Sequence, residues 1–359
     1  MRMRKIFLFL CGVLALSAFA SCNKNDKEVA QPDQKAERVT LSVGIKGNAT
    51  KATVDGTAAE NTVNSIQVFV FKLNEGSYIY EAYGTDTDAS VDITVTTGTK
   101  QIVAIVNDAT DYSAQTDRAT ILALANNFKD NGASSFRMAG TLVYEVTSSE
   151  HSASIPVNRT AARVRIQKIT NALGTHKDES VKINRVYLTN VAAYNDYTNV
   201  KAATNFYATT SVNSTLDLDG AAVAVAAEKT AINGFTYSAL DQAIGSTESY
   251  EYETPVVLYA YPNDGATATT RVVVEMVVNS KYYTYPIELA TMAANTTYDI
   301  AELKLVNLGN PSDGDENIDE GDENDPITSQ SASFSVVVQP WTIAPIANGT
   351  GADEGKYVI

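Results

Sequence analysis

Strict alternation of apolar and polar residues is the feature of this sequence that most restricts its fold. The alternation is complete over residues 39–45 and again over residues 91–96, where Val, Ile and Leu take turns with Thr, Ser, Gly and Asp. A period of two puts apolar side chains on one face of a strand, whereas an amphipathic helix needs a period near 3.6. Residues 102–106 form a continuous apolar run after Gly98, which is typical of a buried central strand. The pattern therefore predicts an all-β chain.

The same reasoning extends along most of the sequence. It predicts further strands at residues 66–71, 161–169, 181–188, 255–260, 272–278, 282–287, 298–306 and 333–339. One helix is expected over Asp117–Phe128, where apolar residues recur with helical spacing and Thr116 can cap the free amides. The expected helical face consists of Ile121, Leu122, Ala125 and Phe128. Many strands and one short helix favour β-sandwiches over a parallel α/β fold.

The length of the chain is enough for about two domains of roughly 100–200 residues each. The stretch His151–Ile155 has the polar, loop-like start expected between domains, and Ala161 opens a new run of strands. A boundary is therefore predicted near Val157. The predicted segments are a leader at 1–22, a tether and first strand at 23–51, a first sandwich at 52–157 and a second sandwich at 158–359, with loop-rich decoration at 191–254.

The N-terminus has the layout of an export signal. A basic start at residues 2–5 precedes the apolar stretch Ile6–Phe19, which is too short for a permanent membrane helix. The following residues, Phe19-Ala20-Ser21-Cys22, resemble a bacterial lipobox, in which the cysteine becomes the acylated N-terminus; ordinary secretory cleavage near Ala20 is the alternative. Since Cys11 leaves with the leader, the mature chain is expected to lack disulfides, and acyl chains on Cys22 would anchor it to a membrane.

Composition excludes several classes of function. The formal net charge is −15, with only two Cys and two His among 359 residues. An acidic surface repels nucleic acid, and so few Cys and His cannot build a thiolate zinc site or a disulfide framework and leave few ways to assemble a catalytic triad. The stretch Gly349–Lys356 approaches a phosphate loop, but its glycines are one residue too far apart and Tyr357 replaces Ser or Thr. A non-enzymatic protein without a cofactor or metal is expected.

The acidic tract 311–326 and the segment after it differ in character. The tract begins at Asp313 like a calcium loop, but Ile318 stands where Gly is needed and Asn324 where Glu is needed, so a solvated spacer is predicted. The next segment, 333–339, has one apolar face, and Pro340 then interrupts the strand. That face consists of Phe334, Val336 and Val338, with Trp341 and Ile343 on the shifted face. A last edge strand packed on its own domain is the simplest interpretation of these residues alone.

Taken in order, several segments resemble the fimbrillin family, the major subunits of type V pili on Gram-negative anaerobes. They are the lipobox cysteine, the first strand, Asn48–Lys51, Ser65–Phe71, Lys100–Asn107, Phe136–Gly140, Arg159–Val164, the loop before the last strand, and Gln339–Trp341. The resemblance implies two transthyretin-like Greek-key β-sandwiches in tandem, with the short helix in the first. It also implies a cell-surface fimbrium that supports adhesion, built from a lipoprotein precursor anchored to the outer membrane.

The family also implies a route of assembly. A trypsin-like protease cuts behind a basic residue and removes the first strand, and a strand from the C-terminal region of another subunit fills the vacated groove. Here the cut is expected between Lys51 and Ala52, although the family generally has Arg there; Arg38 competes, but a cut there would leave the strand in place. The displaced strand would carry Val39, Leu41, Val43 and Ile45. The donor segment 333–359 would carry Phe334, Val336, Val338, Trp341 and Ile343.

The expected partners are other copies of the chain or related subunits, the protease, and a host protein or glycan. Two alternatives belong to other classes. One is a surface lipoprotein or tip adhesin that binds a glycan or host protein and does not polymerise. The other is a surface hydrolase, which the shortage of His and Cys disfavours.

Overall fold

The computed structural model describes residues 37–47, 57–199, 203, 205–207, 237–245, 249–289, 291–315, 325–327 and 332–341. The described residues from Glu37 onward form one compact unit. Strands dominate the described part of the chain, as the alternating pattern predicted.

The first half of the described chain contains eight strands and one α-helix. They are β1 (Arg38–Gly47), β2 (Ile66–Asn74), β3 (Ser77–Asp86), β4 (Ser90–Thr96), β5 (Gly98–Val106), α1 (Arg118–Leu122), β6 (Ala125–Asn127), β7 (Met138–Val146) and β8 (Ser152–Arg159). Short 3-10 turns occur at Ala59–Asn61 and Phe128–Asp130. Strand β8 corrects the interpretation of His151–Ile155 as a loop, because Ala153, Ile155 and Val157 alternate into the core.

Seven of these strands form one sheet in the order β3-β2-β5-β7-β8-β1-β4. The two outermost strands, β3 and β4, also lie next to each other, so the sheet curls towards a barrel. Gly84 on β3 shows how closely they approach, because a Cβ atom there would lie 2.6 Å from Cγ1 of Ile93 on β4. The inside of the sheet holds one apolar cluster, and its outer face, covered by α1, holds another.

The predicted helix over Asp117–Phe128 is wrong in length and in its cap. Helix α1 spans only Arg118–Leu122, and Asp117 rather than Thr116 caps it, accepting a hydrogen bond from the Thr120 amide at 2.7 Å. The expected apolar face divides between two cores, because Ile121 packs on the outer face of the first sheet and Phe128 packs in the second half of the chain. Backbone pairing of β6 with a later strand stabilises the extended conformation where further helical turns were expected.

The second half of the described chain contains sixteen strands. They are β9 (Ala162–Ile166), β10 (Ile169–Asn171), β11 (Val181–Thr189), β12 (Val191–Ala192), β13 (Tyr194–Asp196), β14 (Phe206–Tyr207), β15 (Tyr237–Ala243), β16 (Glu251–Tyr252), β17 (Val256–Ala260), β18 (Arg271–Val278), β19 (Lys281–Glu288), β20 (Thr296–Ile300), β21 (Leu303–Leu305), β22 (Asn310–Ser312), β23 (Ala332–Ser333) and β24 (Val336–Pro340). A 3-10 turn spans Gly174–His176.

These strands form three larger sheets and two small ones. The larger sheets have the orders β17-β9-β20-β24, β16-β10-β21-β23 and β15-β11-β18-β19-β22, and the small ones pair β12 with β14 and β13 with β6. The strands predicted as 161–169, 298–306 and 333–339 are each divided in two, because the chain passes between the first and the second of these sheets at the break. A backbone hydrogen bond connects two of these breaks, because the Gln167 amide donates to the Ile300 carbonyl at 2.8 Å.

Sheet membership changes between Arg159 and Ala162, but contacts continue across this point. The domain boundary near Val157 and the tandem transthyretin-like arrangement therefore stay predictions.

Candidate functional site

Strand β1 lies inside the seven-stranded sheet and is paired along both of its edges. Residues 38–44 pair in antiparallel fashion with residues 90–96 of β4. Residues 42–47 pair in parallel with residues 152–157 of β8. The most N-terminal strand of the described chain is therefore a bridge between two parts of the sheet rather than an added edge.

The inner face of β1 supplies one row of the first core. Leu41 and Val43 are 0% exposed and Ile45 is 2% exposed, and Val39 packs partly buried against the same cluster. The row contacts apolar side chains contributed by β2, β4, β5, β7 and β8. The alternation in the sequence thus correctly identifies which side chains of this strand face inwards.

The pairing and burial of β1 define what its loss would create. A gap between β8 and β4 would expose two rows of unpaired backbone groups, which readily accept another strand. It would also expose an apolar slot shaped by four aliphatic side chains. Refilling the slot would gain on the order of 6–12 kcal/mol before entropy costs, at ~1.5–3 kcal/mol for each buried side chain.

Strand β24, near the other end of the chain, lies at an edge of its own four-stranded sheet. It pairs with β20 in antiparallel fashion, with Val336 opposite Ile300 and Pro340 opposite Thr296. Val336 packs partly buried against the second core, whereas Phe334 is 38% exposed and Val337 is 47% exposed. The side chain of Val338 lies outside the described part. This strand is thus an edge strand of a sheet in its own subunit.

Trp341, directly after β24, is 0% exposed and lies against aromatic side chains from both halves of the chain. Its ring stacks on Tyr259 with centroids 5.6 Å apart and meets Phe136 edge-on at 5.1 Å. The Trp341 amide donates to the Asn295 carbonyl at 2.8 Å. The end of the C-terminal strand is therefore fixed by a large buried anchor.

Two arginines flank the same indole. The guanidinium carbons of Arg159 and Arg163 lie 4.2 and 4.9 Å from the centroid of the Trp341 ring, within the range of cation–π attraction. Arg159 Nη1 also donates to the Trp341 carbonyl at 3.1 Å, and its Nε donates to the Glu60 carbonyl at 3.2 Å. Burial lowers the pKa of Arg159 to about 9, and the nearby charge of Glu60 opposes that shift.

The carboxylate of Glu60 completes this group. It accepts from Arg163 Nη1 at 3.1 Å and from the Tyr259 hydroxyl at 2.7 Å, and Glu60 is 2% exposed. We refer to Glu60, Arg159, Arg163, Tyr259 and Trp341 as the junction cluster. It joins the turn at residues 57–61 to the end of β24.

A second buried polar group surrounds Asp108. Its carboxylate accepts from Tyr112 Oη at 2.8 Å and Arg137 Nη2 at 3.0 Å, and also from the Tyr197 hydroxyl. Burial by itself raises the pKa of Asp108, but the hydrogen bonds from Tyr197 and the Thr110 amide, with the charge of Arg137, outweigh it and hold that pKa below its usual value. This group ties residue 197 to the first half of the chain.

Several predicted site residues lie outside the described part of the chain. They are Cys22, Lys51, Ala52 and Ile343, with residues 316–324 of the acidic tract. In the described ranges no group of three potential metal ligands occurs, and no helix there is long and apolar enough to cross a membrane. His176 lies beside Glu179, with Nδ1 3.1 Å from the carboxylate, and is partly exposed.

Sequence reasoning missed the junction cluster. Arg159 and Arg163 stand in a segment that the family resemblance already singled out, and Trp341 is the one tryptophan of the chain. Nothing in the local sequence marks Glu60 or Tyr259 as their partners, because the hydrogen bonds of Glu60 with Arg159, Arg163 and Tyr259 span 99 residues or more, and Tyr259 is also far from Trp341 in the sequence.

No protein-family model matches the sequence, and no curated protein matches it. Solved structures do match. A candidate cell adhesion protein from Bacteroides eggerthii DSM 20697 superposes with a TM-score of 0.61 at 16% identity, over 86% of this chain and 97% of that chain. A candidate cell adhesion protein from Parabacteroides distasonis ATCC 8503 gives 0.51 at 16% identity, over 84% and 96%.

A fimbrilin from Porphyromonas gingivalis W83 superposes with a TM-score of 0.51 at 12% identity, over 85% of this chain and 98% of that chain. Identities this low establish the fold alone. Over most of its length, the chain is structurally similar to fimbrilins and cell adhesion proteins of Bacteroidales.

Proposed function

We propose that this chain is a structural subunit of a cell-surface pilus that polymerises by donor-strand exchange. It is exported as a lipoprotein that carries its acyl chains on Cys22. A trypsin-like protease then cuts between Lys51 and Ala52, and β1 leaves the subunit. The observation that carries the proposal is the position of β1, which is the first described strand and yet is paired on both edges and buried on one face. Its removal creates a slot that another strand must fill.

The segment 333–359 is the proposed donor. In the described subunit its strand β24 pairs along one edge only and leaves Phe334 and Val337 partly exposed. An edge strand can leave its sheet by breaking the hydrogen bonds along one side only, whereas a central strand must break those along both sides. The acidic tract before it, predicted from the sequence to be a solvated spacer, is proposed to give that segment the length to move.

The alternative function is a surface lipoprotein or tip adhesin that binds a glycan or host protein without polymerising. The packing of β24 on its own domain favours it, because a chain that never donates its last strand would look the same. Polymerisation separates the two functions.

The test is protease-dependent assembly of the full chain. Treatment with a trypsin-like protease should give ladders that resist heating on a denaturing gel, and the assembled subunits should begin at Ala52. Lys51→Gln should abolish the ladders. Lys46→Gln is the matched control, because Lys46 is an exposed residue of the paired strand β1 and should not be the cut site.

Two results would contradict the proposal. One is ladder formation by the Lys51→Gln protein at the wild-type rate. The other is a fibre whose subunits begin at Cys22 or Val39, because β1 would then remain in the sheet.

A further inference from the structure

The junction cluster connects two parts of the chain that the proposed assembly treats separately. The turn at residues 57–61 follows the proposed cut site, and Trp341 ends the strand proposed for donation. Both parts are held by the same two arginines, one of which terminates β8, the strand that pairs with the last residues of β1. Loosening of the turn at residues 57–61 should therefore weaken the packing of Trp341, and the reverse.

The turn is held to the cluster through Glu60. Its carboxylate pairs with Arg163 and Tyr259, and it also accepts from the Thr57 amide at 2.5 Å. The Glu60 amide in turn donates to the Thr57 hydroxyl at 3.2 Å. This reciprocal arrangement fixes the carboxylate in the position where it offsets the charge of the arginines that flank the indole.

Trp341 depends on that charge balance. The cluster as defined contains two guanidinium groups and one carboxylate, all of them buried. Without the carboxylate, two like charges would lie beside the tryptophan in a site that excludes water, which is strongly unfavourable. The arginines would then have to move towards solvent, and the indole that both of them contact would lose part of its packing.

We propose that the junction cluster is a lock that holds the C-terminal strand on its own subunit until maturation loosens the turn at residues 57–61. In the uncut chain the backbone is covalently continuous from β1, whose last residue Gly47 pairs with Val157, to the turn. A cut behind Lys51 frees the N-terminal side of the turn, so that Glu60 withdraws more often and Trp341 is released more often. The lock rests on the proposed function for its role in assembly, but its existence is measurable on the monomer.

Release also has a favourable component. Among the described residues the indole Nε1 of Trp341 has no hydrogen-bond partner although it is buried. A buried donor without a partner is destabilising, and exposure to water would satisfy it.

The first experiment uses the single tryptophan as a reporter. Acrylamide quenching of fluorescence in the uncut protein reads the exposure of Trp341 alone. Glu60→Gln should raise the quenching constant and shift emission to longer wavelength, together with a rise of about 10²–10⁴-fold in the unfolding equilibrium constant. Glu288→Gln is the matched control: its pair with Arg271 has the same 3.1 Å separation, but Glu288 is 43% exposed.

The second experiment needs no change in the cluster, and it decides the outcome if Glu60→Gln fails to fold. Cutting the wild-type protein behind Lys51, at a concentration too low for ladders, should raise the quenching of Trp341. The Lys51→Gln protein under the same protease should show no rise. Two results would overturn the proposed lock. One is quenching of Trp341 that stays unchanged after cutting, and the other is equal quenching in the Glu60→Gln and Glu288→Gln proteins.

The role in assembly is read separately. Folded Glu60→Gln protein should form ladders sooner after cutting than wild type, because its C-terminal strand is already loosened. Equal rates despite higher quenching would refute control of assembly by the lock. If the wild-type protein forms no ladders at all, the proposed function fails, while the quenching results still decide whether the turn and Trp341 are coupled.

Discussion

Replacement of Leu41 by Ala tests whether β1 stabilises the precursor and is absent from the polymer. Leu41 is 0% exposed and lies in the middle of the strand that bridges β8 and β4. Truncation of a buried Leu costs about 2–5 kcal/mol, through the lost transfer free energy and the cavity that remains. The free energy of unfolding of the uncut protein should fall by that amount, as measured by urea denaturation followed by circular dichroism.

The polymer should behave differently. If β1 is removed during maturation, the assembled subunit no longer contains residue 41, so Leu41→Ala fibres should dissociate at the same temperature as wild-type fibres. Thr40→Ala is the control in the same strand, because Thr40 is exposed and its loss should change the stability of the precursor by less than about 1 kcal/mol.

Either of two results would refute this reasoning. Fibres of the Leu41→Ala protein that dissociate at a clearly lower temperature would show that β1 is still part of the polymer. An uncut Leu41→Ala protein as stable as the Thr40→Ala protein would show that the inner face of β1 is not a packed part of the core.

Two further predictions concern the framework around the slot. Gly140→Ala should destabilise the uncut protein more than Gly84→Ala in urea denaturation, because the new Cβ would lie 2.0 Å from the backbone carbonyl oxygen of Pro156 in the first case and 2.6 Å from Cγ1 of the Ile93 side chain in the second, and a side chain shifts more readily than the backbone of a paired strand; equal losses would contradict this. The pKa of Asp108 is lower in the folded than in the unfolded state, so the ionised carboxylate stabilises the fold. This contribution to the free energy of unfolding is complete above about pH 4 and is lost as the pH falls through the pKa of the folded state. The difference in unfolding free energy between wild type and Asp108→Asn should therefore be constant from pH 6 to 8 and shrink below pH 4, and a difference that grows on acidification would reverse the assigned direction of the shift.

The sequence predicted those parts of the fold that depend on local alternation. Strands β1, β4 and β5 were predicted because their buried side chains recur every second residue or form a continuous apolar run. Strand β8 shows the same alternation, but Pro156 and the polar residues around it obscured the signal. The helix was predicted too long because Phe128 fits a helical face in sequence, while in space it belongs to a different core from Ile121.

The contacts that join the two ends of the chain could not be predicted from local pattern. Arg159 reaches the Trp341 carbonyl across 182 residues, and Arg163 reaches Glu60 across 103 residues. A buried charge stands out in a sequence only when it interrupts an apolar run, and Glu60 lies in a polar stretch before β2. Its burial is a consequence of how the 57–61 turn packs against β8, which only the assembled fold reveals.

The burial of Trp341 also bears on the order of events in the proposed assembly. Withdrawal of a fully buried Trp costs about 3–5 kcal/mol, judged from truncations of large aromatic side chains. Filling the slot left by β1 gains on the order of 6–12 kcal/mol before entropy costs. While β1 occupies its place there is no slot to fill. Withdrawal of Trp341 is then not offset by new burial, so the C-terminal strand stays on its own sheet. Once β1 has left, the proposed exchange begins with an uphill step at the junction cluster and then gains the burial in the slot. In the proposed assembly, removal of β1 therefore sets the direction of the exchange, and the contacts of Trp341 set its rate.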